Sequence, residues 1–220
     1  MIKRISIALL SLLLIFAFSA CSNNISESTE KETISSSDNN EIITSDTEQS
    51  AENEKEENAQ MNSSVLVVYF SATGTTKQIA KNAAEILNAD IYEITPEQSY
   101  TDEDLAYYTN GRADREQNDL SARPAISGSV KDMDKYDTII LGYPIWHSQA
   151  PRIISTFLES YDFSGKTIIP FCTSHSSGIG SSDTDLHNLC SDNTNWIKGK
   201  RFSSDASQND IKDWLNSVNL

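Results

Sequence analysis

Residues 65–76 read VLVVYFSATGTT. The first six are apolar without interruption, which is typical of a parallel β-strand that is covered on both faces. The next six are small and mostly carry hydroxyl groups, and they lead into a stretch with helical periodicity. A strand, a tight loop and an amphipathic helix are therefore predicted in that order. The apolar positions of this helix are Ile79, Ala80, Ala83, Ala84, Ile86 and Leu87.

The same alternation continues along the chain. Further strands are predicted at Asp90–Thr95, Thr138–Gly142 and Lys166–Cys172, although Pro170 in the last of these lacks the N–H that a central strand donates. The other predicted elements are a helix with Ile153, Ile154, Phe157 and Leu158, a short helix near Asp183–Cys190, a weak fifth strand around Trp196–Phe202, and a final helix with Ile211, Trp214, Leu215 and Val218.

Strands that alternate with helices predict a single α/β domain, with a doubly wound five-stranded parallel sheet and helices on both faces. Ligands in this architecture bind beyond the carboxyl ends of the strands, at the point where the strand order reverses. A candidate site is therefore expected in the loops after the first, third and fourth strands.

The charge pattern divides the chain into three segments, within a formal net charge of −15. Residues 1–21 hold two bases and no acid, residues 22–62 hold two bases and 11 acids, and residues 63–220 hold 13 bases and 21 acids. The acidic balance of the two later segments argues against nucleic-acid binding, which needs clustered Lys and Arg. No Cys/His cluster has zinc spacing, so no metal site is predicted.

Residues 1–21 have the pattern of an export leader. Lys3 and Arg4 precede an apolar run of 16 residues, shorter than the about 20 residues of a membrane span, which fits a signal peptide. The run ends Phe18-Ser19-Ala20-Cys21 and resembles the lipobox of bacterial lipoproteins, with Phe18 where Leu is more usual. That resemblance implies lipidation of Cys21 and anchorage to the outside of the cell membrane. The alternative is an ordinary secretory signal, and both predict an extracytoplasmic protein.

Residues 22–62 are polar and acidic with almost no large apolar side chain. Such a segment cannot bury enough surface to offset the entropy of folding, so we predict a disordered acidic tether. As a flexible coil it spans roughly 35–40 Å. The predicted domain is residues 63–220.

The first loop, residues 71–76, has the chemistry of a phosphate site. Its hydroxyl groups and the N–H groups of the following helical turn can donate to a phosphate, and Gly74 permits close approach or a positive φ. Neither a nucleotide-triphosphate loop nor the glycine pattern of a dinucleotide fold is present. The alternative is a Ser/Thr-rich helix cap.

Two more loops follow strand ends. The second loop, residues 142–151, reads GYPIWHSQAP and places Trp146 between two prolines, a position that we interpret as poor for the core and suited to stacking on a flat ring. The third loop, residues 173–180, is rich in hydroxyls and glycine and offers backbone groups to a ring edge. A core or surface Trp and a solvated loop are the alternatives.

In these three loops the sequence resembles the flavodoxin family, and in particular bacterial flavodoxin-like domains with Y-F-S-x-T-G-x-T, G-Y-P-I-W and P-F-x-T-S segments. They read here as Tyr69–Thr76, Gly142–Trp146 and Pro170–Ser174. The resemblance covers roughly residues 63–220. It implies the strand order 2-1-3-4-5, non-covalently bound FMN and a function in electron transfer.

The resemblance also implies which residues contact FMN. The phosphate is held by Ser71, Thr73, Gly74, Thr75 and Thr76; the isoalloxazine lies against Pro144, Ile145 and Trp146, with His147 beside it; and its polar edge meets Thr173, Ser174 and Gly178. No catalytic side chain is predicted, since the flavin carries the redox chemistry.

The second and third loops depart from the pattern of relatives. His147 and Ser148 follow Trp146 where relatives commonly have Trp-Gly, and His175 replaces another residue that is usually Gly. A flip to positive φ is costlier without Gly, on the order of 1 kcal/mol. The two histidines either make the flavin potential depend on pH or have no role.

Two more groups of residues have open interpretations. Arg112 and Arg115 lie in a long polar stretch between the second and third strands, and they either cover the flavin or belong to a salt-bridged surface loop. Cys172 is interpreted as a small core residue, and a disulfide with Cys190 is left open by the extracytoplasmic location.

Three functions follow from these patterns. The first is a membrane-tethered electron carrier that contains FMN and docks a redox partner that is basic at its docking face. The second is an FMN enzyme that takes hydride from NAD(P)H and reduces a quinone or another small acceptor, which requires a nicotinamide-sized space over the flavin. The third is a flavin-free binding module on the same fold, against which the intact phosphate loop argues.

Overall fold

The computed structural model describes residues 64–220. The predicted signal peptide, the predicted lipidation site Cys21, the predicted tether and Ser63 lie outside the described residues. Within residues 64–220, no helix is both long enough and apolar enough to cross a membrane.

Strands and helices alternate along this domain. The strands are β1 (Val65–Tyr69), β2 (Asp90–Glu93), β3 (Thr95–Pro96), β4 (Ile126–Ser127), β5 (Thr138–Pro144), β6 (Thr167–Thr173), β7 (Asn195–Trp196) and β8 (Lys200–Phe202). The helices are α1 (Thr75–Leu87), α2 (Asp102–Leu105), α3 (Arg112–Asn118), α4 (Arg152–Glu159) and α5 (Gln208–Ser217). Short 3₁₀ helices lie at Met133–Lys135 and Thr184–Leu189, and the second of these is the short helix predicted near residues 183–190.

The main sheet is parallel and has the order β2-β1-β5-β6-β7, with β8 also paired to β6. Counted along the chain, this is the predicted order 2-1-3-4-5. The strand order reverses between β1 and β5, and the carboxyl ends of β1, β5 and β6 lie side by side.

The predicted fifth strand is wrong as a continuous element, because it is divided into β7 and β8. β7 pairs with residues 167–168 of β6 and β8 pairs with residues 171–173, so Pro170 lies opposite the gap between them. Pro170 has no N–H to donate, and the interruption of the partner strand at this point avoids a missing ladder bond. Gly199 in the gap passes close to the Pro170 carbonyl.

Side chains of the sheet alternate between two apolar layers, as strand geometry requires. On one face Leu66, Val68, Ile139 and Leu141 pack with α4. On the other face the intervening side chains of the same strands pack with α1 and α5. The doubly wound arrangement is thus confirmed.

The polar segment between β2 and β5 is more ordered than predicted. It contains α2 and α3 and the antiparallel pair β3–β4. Thr101 begins α2 with a capping box in which its hydroxyl accepts the Asp104 N–H and the Asp104 carboxylate accepts the Thr101 N–H. α3 buries Ala113, Asp114 and Gln117, and since two of these are polar, the usual apolar periodicity of a helix is missing.

Candidate functional site

The loops after β1, β5 and β6 enclose a cavity of about 360 Å³. Because these strands are parallel neighbours, their carboxyl ends bring the first, second and third loops to the same edge of the sheet. Most of the predicted site residues line this cavity. They are Ser71, Thr73, Thr75, Thr76, Pro144, Ile145, Trp146, His147, Thr173 and Ser174.

The first loop ends at an open helix N-terminus. Gly74 has a φ of +92°, and its N–H donates to Ser71 Oγ at 3.1 Å. No side chain of residues 64–220 caps α1, and its first turn has no acidic residue. Its first helical hydrogen bond is donated by the Gln78 N–H to the Gly74 carbonyl. The N–H groups of Thr75 and Thr76 precede that first bond, so they can bind an anion with the hydroxyls of Thr73 and Thr75.

Thr76 has a second contact that the sequence did not indicate. Its hydroxyl is buried and lies 2.7 Å from the hydroxyl of Thr173 at the end of β6. This hydrogen bond links the first turn of α1 to the neighbouring strand end. It fixes the first loop relative to the third.

Trp146 lies in the core, and the interpretation of its position as poor for the core is wrong. It is 8% exposed and its ring makes edge-to-face contacts with Phe70 at 5.5 Å and Tyr100 at 5.1 Å. The carboxyl end of β5 directs the second loop back over the sheet, where the Ile145 N–H donates to the Thr173 carbonyl at 2.9 Å. Trp146 therefore forms part of the cavity wall from a fixed position.

His147 and Ser148 form a tight turn in the second loop. Their φ values are +47° and +64°, and Trp146 and Gln149 exchange two backbone hydrogen bonds of 2.9 Å across them. Two consecutive residues at positive φ are the mark of a type I′ turn, which favours Asn and Gly. Ser148, which stands where Gly is common, thus already adopts the left-handed conformation, and so does His147.

Asp114 holds this turn from α3, and it was missed in the sequence. Its carboxylate accepts the N–H groups of Thr109 and Asn110 at 2.9 and 3.0 Å and lies 2.8 Å from His147 Nε2. Burial alone would raise the pKa of Asp114, but the hydrogen bonds from His147 and from the two N–H groups hold it below its usual range. Asp114 is 5% exposed and lines the cavity.

Gln117, one turn further along α3, is the second missed residue. Its amide nitrogen donates to the carbonyls of Trp146 and Ala150 at 3.1 and 3.2 Å, and its amide oxygen accepts the Arg152 N–H at 3.1 Å. The spacing of two polar residues on one helical turn is the only sequence signal for this role, and it does not distinguish them from solvated side chains.

The third loop contributes Thr173, Ser174 and His175 to the cavity, whereas Gly178 does not line it. Arg201 in β8 donates to the carbonyls of Ser174 and His175 at 2.7 and 2.9 Å, which fixes the start of the loop. Gly74 does not line the cavity either. Gly74 instead forms the bend that precedes α1.

The arginines and cysteines of residues 64–220 do not form part of the cavity wall. Arg112 pairs with Glu116 at 2.6 Å and covers the ring of Tyr100, and Arg115 donates to the Asn110 carbonyl, so the salt-bridged interpretation holds for Arg112. Cys172 is a buried core residue, as predicted, and burial raises the pKa of its thiol to about 12. Cys172 and Cys190 are both free thiols.

A parallel sheet of this order, with a hydroxyl-rich loop at its switch point, defines a flavodoxin-like fold. Residues 64–218 match a family model described as flavodoxin, and the chain therefore belongs to the flavodoxin family. No curated protein matches the chain at a significant level.

Solved structures agree with this assignment. A candidate flavoprotein from Bacteroides eggerthii is 40% identical with a TM-score of 0.68, and the match covers 72% of this chain and 99% of that one. One from Bacteroides uniformis is 44% identical with a TM-score of 0.66, over 70% and 97% of the two chains. A Lactobacillus acidophilus flavoprotein in complex with FMN shares the fold at 24% identity and a TM-score of 0.53, over 69% and 98%.

Proposed function

We propose that this protein binds FMN in the cavity and functions as an electron-transfer flavoprotein. The observation that carries the proposal is the pairing of two different surfaces in one cavity. An open helix N-terminus with free hydroxyls forms one part of the lining, and apolar side chains in fixed positions form another. The first suits a phosphate monoester and the second suits a flat ring.

The donor set of the first loop fits the FMN phosphate. Thr73, Thr75 and the first N–H groups of α1 supply neutral donors, and the acid-free first turn leaves the positive end of the helix dipole without a competing carboxylate. Among residues 64–220, no lysine or arginine lines the cavity. A site without a fixed cation is suited to one terminal phosphate.

The apolar wall fits the isoalloxazine ring. Pro144 ends β5 and Ile145 follows it. The Gln117 amide fixes Trp146 by donating to its backbone carbonyl. Thr173 and Ser174 supply polar groups beside this wall. The family assignment supports this arrangement, and so does the FMN complex of the Lactobacillus acidophilus protein, which shares the fold.

Bound FMN would supply the redox chemistry, while the chain binds, orients and shields it. The first loop would anchor the phosphate, and the second loop would exclude water from one side of the ring. Because the domain is acidic, we propose a redox partner with a basic docking face. Association with that partner should then slow as ionic strength rises.

The test of FMN binding is a titration of residues 63–220 with FMN, followed by the quenching of flavin fluorescence. The Thr73→Val/Thr75→Val double variant removes two hydroxyl donors, and we expect it to bind FMN about tenfold to a hundredfold more weakly. Thr95→Val is the matched control, since Thr95 is exposed in β3 outside the cavity. Equal affinity of the double variant and the wild type would refute the phosphate assignment.

A second assay distinguishes a carrier from a reductase. The FMN-loaded protein is mixed with NADH or NADPH in the presence of a soluble quinone, and nicotinamide oxidation is followed. A carrier leaves the nicotinamide unoxidised but passes electrons to a one-electron acceptor after chemical reduction. Steady nicotinamide oxidation that depends on the quinone would favour the reductase instead.

We also propose that the domain is held outside the cell membrane by a lipid on Cys21 and by a tether over residues 22–62. The lipobox pattern and the composition of the tether support this proposal. Labelling of the full chain with a radioactive fatty acid, and its loss in Cys21→Ala, would be the expected result. Secretion of unlabelled wild-type protein into the medium would indicate an ordinary signal peptide.

A further inference from the structure

A carboxylate–imidazole pair forms part of the cavity wall. His147 from the second loop lies with Nε2 at 2.8 Å from Asp114 Oδ1 of α3, and both residues line the cavity. The pair joins two segments that are 33 residues apart in the chain. His147 is predicted to lie beside the isoalloxazine, but the electron-carrier proposal assigns no role to its pairing with Asp114.

The hydrogen bonds around Asp114 determine which nitrogen of His147 carries a proton. The carboxylate accepts two backbone N–H groups on its other oxygen, so it is favoured in the ionised form. An ionised carboxylate can only accept, and Nε2 must therefore donate. Nδ1 is therefore the ring nitrogen that can accept a proton, and within residues 64–220 it has no hydrogen-bond partner.

The conformation of His147 is costly and is held from several sides. The residue has a φ of +47°, and its ring lies 5.2 Å from the ring of Tyr107 and 5.7 Å from that of Tyr108. A strained backbone conformation persists only where its surroundings enforce it, and such positions cluster at functional sites. The titratable groups in contact with this ring are Asp114 and the two tyrosines, and His175 of the third loop lines the same cavity.

We propose that His147, positioned by Asp114, is the proton-binding group of the cavity and takes up a proton when the bound flavin is reduced. The inference rests on the proposed FMN function. Two electrons from an external donor and one proton leave the flavin ring with one negative charge. A second proton from water then binds at His147 Nδ1, so the cavity gains no net charge.

The first test needs no flavin. Long-range ¹H–¹⁵N NMR of the apoprotein reports the tautomer of each of the three histidines. We expect neutral His147 to carry its proton on Nε2, and we expect Asp114→Asn to weaken that preference. A neutral His147 with its proton on Nδ1 would overturn the proposal, because Nδ1 would then have no capacity to accept.

The second test measures the midpoint potential of the FMN-loaded protein between about pH 5 and pH 8. The slope of the potential against pH should be steeper in the wild type than in His147→Gln, by up to one proton for each pair of electrons. His187→Gln is the matched control, since His187 stacks on Trp196 and does not line the cavity. It should keep the wild-type slope.

The outcomes separate this inference from the function on which it rests. If the wild type binds no FMN, the proposed function fails, and the redox-linked proton fails with it. If FMN binds and the wild type and His147→Gln have the same slope, only the present proposal is overturned. If His175→Gln removes the extra slope and His147→Gln does not, the proton is bound on the third loop and the assignment to His147 is wrong.

Discussion

Ser148 is exposed, has a φ of +64° and makes no side-chain hydrogen bond within residues 64–220. The left-handed conformation costs a residue other than glycine about 1–2 kcal/mol. Substitution by glycine removes this cost, but the larger conformational entropy of glycine in the unfolded chain offsets part of the gain in stability. We therefore expect Ser148→Gly to raise the free energy of unfolding by about 0.5–1 kcal/mol. Urea denaturation of the domain measures this change.

Ser176 provides the matched control for that substitution. It is also exposed, but it is not among the residues at positive φ. Ser176→Gly should leave the stability unchanged or lower it slightly. A gain at residue 176, or a loss at residue 148, would contradict the account of the turn.

At the scale of single residues, the sequence predicted which chemical groups each loop presents to a ligand, but not which residues fix the position of the loop. The hydroxyls of the first loop and the apolar second loop could be assigned because their chemistry is local to the loop. Asp114 and Gln117 could not be assigned, because their partners lie about 30 residues away and a buried polar residue has the same sequence appearance as a solvated one. Only the folded helix α3 shows that they face inwards.

Among the elements, β5 and β6 pack where a glycine of one strand faces an aromatic ring of the other. Gly142 pairs with Phe171, and a methyl group at Gly142 would overlap that ring. Phe171 is fully buried and packs against Phe202 and Trp214, so the ring has no room to move. Gly142→Ala is expected to lower the free energy of unfolding by about 1–3 kcal/mol.

The control for this substitution is Gly178→Ala in the third loop. A methyl group there meets no atom closer than 4.0 Å, and the residue is exposed. We expect a change within about 0.5 kcal/mol, as for most surface substitutions. Thermal or urea unfolding of both variants measures these changes in the free energy of unfolding. Equal stability of the two variants would refute the packing argument.

Elements could be predicted wherever burial is complete. β1, β5 and β6 are covered on both faces, so their continuous apolar runs identify them. The division of the fifth strand could not be predicted from the sequence. It depends on the pairing register with β6, which places Pro170 opposite the gap between β7 and β8. The segment that contains α2 and α3 escaped prediction for a different reason, namely that its helices are short and bury polar groups.

For the domain as a whole, nine carboxyl groups have pKa values below their ordinary range. They are Asp90, Glu93, Asp104, Asp114, Asp119, Glu159, Asp162, Asp205 and Asp210. A carboxyl group with a lowered pKa stabilises the fold above its unfolded value of about 4, and this contribution is lost as the pH falls through the folded value.

The domain should therefore be less stable at about pH 3 than at about pH 6, because the unfolded chain binds more protons in that range. Urea unfolding at the two pH values, with the slope of the transition checked for two-state behaviour, measures the difference. Equal midpoints would mean that the hydrogen bonds to these carboxyl groups do not favour the ionised forms. The change should be gradual, since the nine groups differ in their partners.

We propose that this domain holds FMN through the phosphate at the first loop. The most direct measurement is the ratio of FMN to riboflavin affinity for residues 63–220, obtained from the quenching of flavin fluorescence. The two ligands share the ring and differ by the phosphate, so we expect FMN to bind more tightly than riboflavin by tenfold or more, with the difference reduced in Thr73→Val/Thr75→Val. Equal affinity for both ligands, or no binding of either, would contradict it.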